Sequence, residues 1–193
     1  LVMVVASFIA KTAVRAMFNS ESKNVSLSSK LDAGVYEELR NDTKFQERFK
    51  DFSPSEAHDE ARKLAARGLR RLSTEDLLQR ARLLNEILEH SNEKNCAELV
   101  KGSQNNASIF LEALQSLPEE MQRDWMRLAV KSVRAELAES FYMDPVTSDV
   151  NAGFSELAEK LSPEERETVA KLNGGGSPGF AGDRQVCSAG KSI

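Results

Sequence analysis

Between Ser73 and His90 the chain reads STEDLLQRARLLNEILEH. On a wheel of about 3.6 residues per turn, Leu77, Ala81, Leu84 and Leu88 form one stripe, which Leu83 and Ile87 widen on one side and Leu78 on the other. The apolar arc covers roughly 220°, whereas an ordinary surface helix needs an arc of roughly 100°. A helix this apolar requires neighbours on several sides. The spacing therefore predicts a central helix near residues 73–90, with the other elements packed around it. Arg80 falls inside the arc, between the directions of Leu84 and Ile87. A guanidinium there has to snorkel to solvent or meet a buried acid, and Arg80 is the one functional anomaly in the stretch.

The rest of the chain points to the same class. Aromatic residues are only 6% of the total, and β-branched runs are nearly absent beyond the N-terminus, which favours helix over sheet. Helix-start signals recur at Ser53-Pro54-Ser55-Glu56, Ser73-Thr74-Glu75-Asp76, Ser116-Leu117-Pro118-Glu119 and Ser162-Pro163-Glu164-Glu165. Their unequal spacing excludes a repeat solenoid. A second strong helix is predicted from Pro118 to Tyr142, with Met126, Val130, Val133, Leu137 and Phe141 on one face and Asp144-Pro145 as its stop. Its apolar face suits packing on the central helix. Phe45, Phe49 and Phe52 recur at helical spacing and read as core. The expected fold is all-α: an irregular multi-helix bundle of unequal helices around residues 73–90.

Composition shifts divide the chain. Residues 1–18 open with LVMVVASFIA, the most apolar run, and read as a packed N-terminal helix or the remnant of a membrane anchor or signal. Residues 19–30 are a polar, Ser-rich linker, and 31–193 form a single helical domain. A Gly-rich loop is expected at 173–185, and VCSAGKSI after it looks like a helix cut short, so the sequence reads as truncated at its C-terminus.

Motifs with catalytic meaning are sparse. Ala189-Gly190-Lys191-Ser192 invites a phosphate-loop reading, but Gln185 stands where that loop's first Gly belongs and no apolar strand precedes it. Cys96 and Cys187 lack Cys-x-x-Cys spacing, and with His58 and His90 they are too scattered for a zinc site. The two cysteines read either as a disulfide stapling the C-terminal segment behind the central helix, the preferred reading, or as separate buried thiols. His90 sits where a cation complements a helix C-terminus, and His58 lies in acidic first turns with no nucleophile motif nearby. Glu119-Glu120 and Glu164-Glu165 are first-turn acids, since adjacent helical residues diverge too far to form a dyad. Lys63, Arg67, Arg70 and Arg71 make a basic face, read as salt-bridged because acids flank it. Three Asn-x-Ser/Thr matches, at Asn24, Asn41 and Asn106, are short enough to arise by chance. No residue is assigned a catalytic, cofactor-binding or metal-ligating role.

A net charge of −4 argues against a nucleic-acid binder. Location draws two opposed signs. A disulfide belongs to an oxidising compartment, which favours a membrane-associated or exported protein. Lys11 and Arg15 after the apolar run favour the cytoplasm as the alternative. The preferred function is a non-enzymatic interaction or scaffold domain with an as yet unidentified protein partner, tethered to a membrane through residues 1–18. The alternative is a small-ligand-binding helical domain with a cavity near Arg80 and the three phenylalanines. A third reading, a thiol-dependent enzyme using Cys96, requires a free thiol.

Overall fold

The computed structural model describes residues 34–35, 37–102, 106–140, 152, 155–156, 158–173 and 182–192. The expected boundaries at 18/19 and 30/31 lie outside these residues, as do the apolar N-terminal run and positions 174–181 of the Gly-rich stretch. The protein is all-helical, and the described residues contain no strand. In chain order the helices are α1 (Thr43–Phe49), α2 (Pro54–Gly68), α3 (Thr74–Glu89), α4 (Glu93–Lys101), α5 (Asn106–Ser116), α6 (Glu119–Leu137), α7 (Pro163–Asn173) and α8 (Asp183–Lys191), with a short 3-10 turn at Leu69–Arg71. The chain groups into two compact units, one formed by 21–80 and 118–144, the other by 1–20, 81–117 and 145–193.

In the first unit, local chemistry sets the helix starts. Asp42 caps α1, its Oδ1 accepting from the amides of Lys44 at 3.1 Å and Phe45 at 3.2 Å. Ser53 opens α2 with a full capping box: the Glu56 amide donates to Ser53 Oγ at 3.4 Å and the Ser53 amide to Glu56 Oε2 at 2.9 Å. The main packing is α2 against α6. Small residues make it close. Ala57, Ala61 and Leu64 are buried with Val130 and Val133 of α6, and Leu39, Phe45 and Phe49 complete this core. Gly68 continues the α2 stripe at the crossing, where a Cβ would stand 1.8 Å from the carbonyl oxygen of Ser132.

Two boundaries depart from the sequence expectation. The Ser116–Glu119 capping box does not form, because Ser116 ends α5 and its hydroxyl donates to the Ala113 carbonyl at 2.7 Å. Helix α6 ends at Leu137, earlier than the expected Tyr142. Glu139 takes a left-handed φ of 50°. The Glu139 amide donates to Glu136 O at 3.1 Å and the Ser140 amide to Ala135 O at 3.0 Å. This is the six-to-one, five-to-two closure that usually employs Gly. A Glu there costs about 1 kcal/mol of backbone strain, which no sequence rule for helix ends anticipates.

The division falls within α3: Leu83, Leu84, Ile87 and Leu88, which belong to the second unit, are buried and Ala81 there is half-buried, while Leu77 and Leu78 of the same arc, half-buried as well, belong to the first. Helix α8 packs on α4 and α7, and α4 also meets α5. Gly102 ends α4 at φ 71°, the conformation that favours Gly. At the two ends of the expected Gly-rich stretch, Asn173 closes α7 and Asp183–Gln185 belong to α8, whose start is held by Gln185 accepting from the Gly182 amide at 3.2 Å.

Candidate functional site

Three places in the structure could carry function: the Arg80 environment, the C-terminal helix with its disulfide, and the surface beside the phenylalanine stripe.

Arg80 neither snorkels nor finds an acid, which corrects the expectation. It is 4% exposed, and its guanidinium carbon lies 4.1 Å from the ring centroid of Trp125 on α6. Nothing in the sequence marks this partner except that it is the lone Trp of the chain. Burial lowers the Arg80 pKa to about 10, so it remains a cation at neutral pH. Its Nε is buried without a hydrogen-bond partner among the described residues. The acid one turn earlier, Asp76, is committed elsewhere: Lys131 Nζ lies 2.6 Å away and the Ser73 hydroxyl donates to it at 2.9 Å. A desolvated cation–π stack contributes roughly 2 kcal/mol, less than the several kcal/mol that removing a charge from water costs.

The two cysteines are brought together. Cys96 and Cys187 form a disulfide with Cα atoms 5.3 Å apart, and both are buried with Leu88. The sequence reading that required a free Cys96 thiol therefore loses its nucleophile. The neighbouring Ala-Gly-Lys-Ser segment is structural throughout. A Cβ on Gly190 would stand 2.2 Å from Val100 Cγ2, Lys191 pairs with Glu89 at 3.0 Å, and Ser192 donates to Glu165 at 2.7 Å. Lys101 of α4 reaches Asp183 of α8 at 2.7 Å.

Glu165 is a residue that sequence reasoning left as a plain first-turn acid. It accepts from the hydroxyls of Ser192 and Ser188 and from the Ser162 amide, at 2.7, 3.2 and 2.9 Å. These bonds, led by the Ser192 hydroxyl, favour the carboxylate and lower its pKa from 4.5 to about 2. The folded carboxyl thus releases its proton at lower pH than the unfolded one. Its contribution is complete above about pH 4.5 and is lost as pH falls toward 2. Thermal melts between pH 6 and pH 2 are expected to fall more steeply for the wild-type chain than for Glu165→Gln, and parallel curves would remove this role from Glu165.

Of the remaining candidates, the side chain of His58 lies outside the described residues. His90 Nδ1 lies 2.9 Å from the Glu86 carbonyl oxygen, at the end of its helix. The basic face is a set of ion pairs, Lys63 with Glu60 at 2.7 Å, and Arg67 and Arg71 with Glu136 at 3.4 and 2.7 Å. Arg71 also donates to the Ser140 carbonyl. No group of His, Cys, Asp or Glu among the described residues is placed to hold a metal ion. No described helix is long and apolar enough to cross a membrane.

The phenylalanine stripe divides. Phe45 and Phe49 are core, with ring centroids 4.5 Å apart, but Phe52 is 43% exposed and meets Phe49 edge-on at 5.2 Å. The stripe breaks because α1 ends at Phe49, so Phe52 sits on a turn before the Ser53 cap instead of one more helical step along. Beside it, Arg40, Phe45, Gln46, Phe49 and Lys50 line a groove of about 320 Å³. Arg40 is paired with Glu37 at 3.1 Å. The ligand cavity expected from Arg80 together with the phenylalanines is not what this groove is, since Arg80 does not line it. Compared with family models, with curated proteins and with solved structures, the chain matches none of them.

Proposed function

We propose that the chain is a non-enzymatic helical interaction module that engages a protein partner through the surface around Phe52, with residues 1–18 as its tether to a membrane. The observation that carries this reading is Phe52 itself, a large apolar side chain left 43% exposed and packed edge-on against Phe49, which lines the groove. An aromatic ring beside an apolar floor with Arg at its margin has the composition of an interface anchor. The groove's lining is aromatic and cationic, with Phe45 and Phe49 beside Arg40 and Lys50 and no carboxylate, imidazole or thiol among them, a composition that suits docking of a partner surface.

The test takes the full chain as bait, identifies a bound protein, purifies it and measures its affinity for wild-type and Phe52→Asp chains. The aspartate variant is expected to bind at least about tenfold more weakly while its circular dichroism and thermal melt are unchanged. Equal affinity for the two chains, or no bound protein at all, would overturn the reading.

A further inference from the structure

The Phe52 surface leaves Arg80 unexplained. Its guanidinium carbon lies over the Trp125 ring, 4.1 Å from the centroid, and its Nε–H has no hydrogen-bond partner among the described residues. The ring attracts the cation but supplies no acceptor in hydrogen-bond geometry, so the Nε–H stays without one. The edge carrying Nε and one Nη is a two-pronged donor whose spacing matches the two oxygens of a carboxylate. The obvious internal acid, Asp76, is held by Lys131 at 2.6 Å and Ser73 at 2.9 Å.

We propose that Arg80, seated on Trp125, is the cationic half of a binding site for a small organic monocarboxylate. Three observations set that class. One uncompensated cation balances one negative charge, which a carboxylate carries and a phosphate at neutral pH exceeds. The Trp125 ring supplies an apolar wall against which the carbon part of the acid packs. Arg80 and Trp125 are only 4% and 6% exposed, so the entering group is small. Bound acid supplies the missing acceptor to Nε and neutralises the buried charge, and the cost of burying Arg80 in the free protein becomes binding affinity when the acid arrives.

Trp125 is the only tryptophan in the 193 residues, so fluorescence excited selectively at tryptophan, clear of the two tyrosines, reports on this site. The full chain is titrated with acetate, propionate and benzoate at fixed ionic strength, with chloride and inorganic phosphate as comparisons. Expected is a saturable fluorescence change with the carboxylates and a carboxylate-dependent rise in Tm. Both should be lost in Arg80→Met, and binding should weaken at least tenfold in Arg80→Lys, which keeps the charge but not the fork. Arg80→Gln serves as a further variant should the methionine chain fail to fold. No saturable change in the wild-type chain, an equal change in the Arg80 variants, or tighter binding of inorganic phosphate than of any carboxylate would overturn the proposal. The outcome is independent of the Phe52 test.

Discussion

Reducing the Cys96–Cys187 bond, or replacing both cysteines by alanine, is expected to destabilise the unit that contains it by about 4–5 kcal/mol. The bond spans 91 positions, and closing so long a loop removes a correspondingly large share of the unfolded chain's freedom. The folded side of the balance offers little to replace it. Helix α8 runs only from Asp183 to Lys191, too short to be stable by itself. Its hold on α4 includes the packing of Cys187 with Cys96, Leu99 and Val100, the Gly190 contact with Val100, and the Lys101–Asp183 ion pair, while Val186 and Ala189 add buried apolar surface. That pair is half-exposed and contributes about 1 kcal/mol at most. Urea unfolding with and without reductant measures the effect. A midpoint shift equivalent to less than about 1 kcal/mol would mean that packing alone seats α8 and that the bond adds little.

Gly68→Ala should be the most damaging single-atom change in the other unit. In an exposed helix this substitution stabilises by about 1 kcal/mol, because Ala is the better helix former. At Gly68 the added Cβ would lie 1.8 Å from the Ser132 oxygen and 2.6 Å from its carbonyl carbon. Both are backbone atoms of α6, and no rotamer change moves them aside. Helices α2 and α6 must separate, opening the contacts of Ala61 and Leu64 with Val130 and Val133. The net expectation is a loss of about 2–3 kcal/mol. The check is a thermal or urea melt of the variant, and a neutral or stabilised Gly68→Ala would show that the crossing is looser than this geometry.

These two sites show how unevenly a sequence speaks. The burial of Leu83, Leu84, Ile87 and Leu88 was legible, because helical periodicity states burial directly. The caps at Ser53 and Ser73 were legible for the same local reason, since donor and acceptor lie three residues apart. The Ser116 cap does not form, because one serine can serve the helix behind it as well as the one ahead, and a local rule cannot rank the two. Gly68 reads in sequence as a weak helix residue, and only the approach of α6 gives it a purpose. Glu165 and Arg80 belong to the same category. What makes each unusual lies 23 to 45 residues away, in Ser188 and Ser192 for one and in Trp125 for the other. The close approach of Cys96 and Cys187 was a choice between two readings in the sequence and a single geometry in the structure.

The disulfide also bears on how the chain is made. At ribosomal speeds of about 5–20 residues per second, Cys96 emerges on the order of 5–20 s before its partner. Through that interval α4 lacks the helix that covers its buried Cys96 and Ala97, and the thiol is open to outside chemistry. Yet these 193 residues contain only two cysteines, so a single intramolecular pairing exists. Within this stretch, forming the bond needs an oxidant and offers no wrong internal partner, and the hazard before Cys187 emerges is a bridge between two nascent copies.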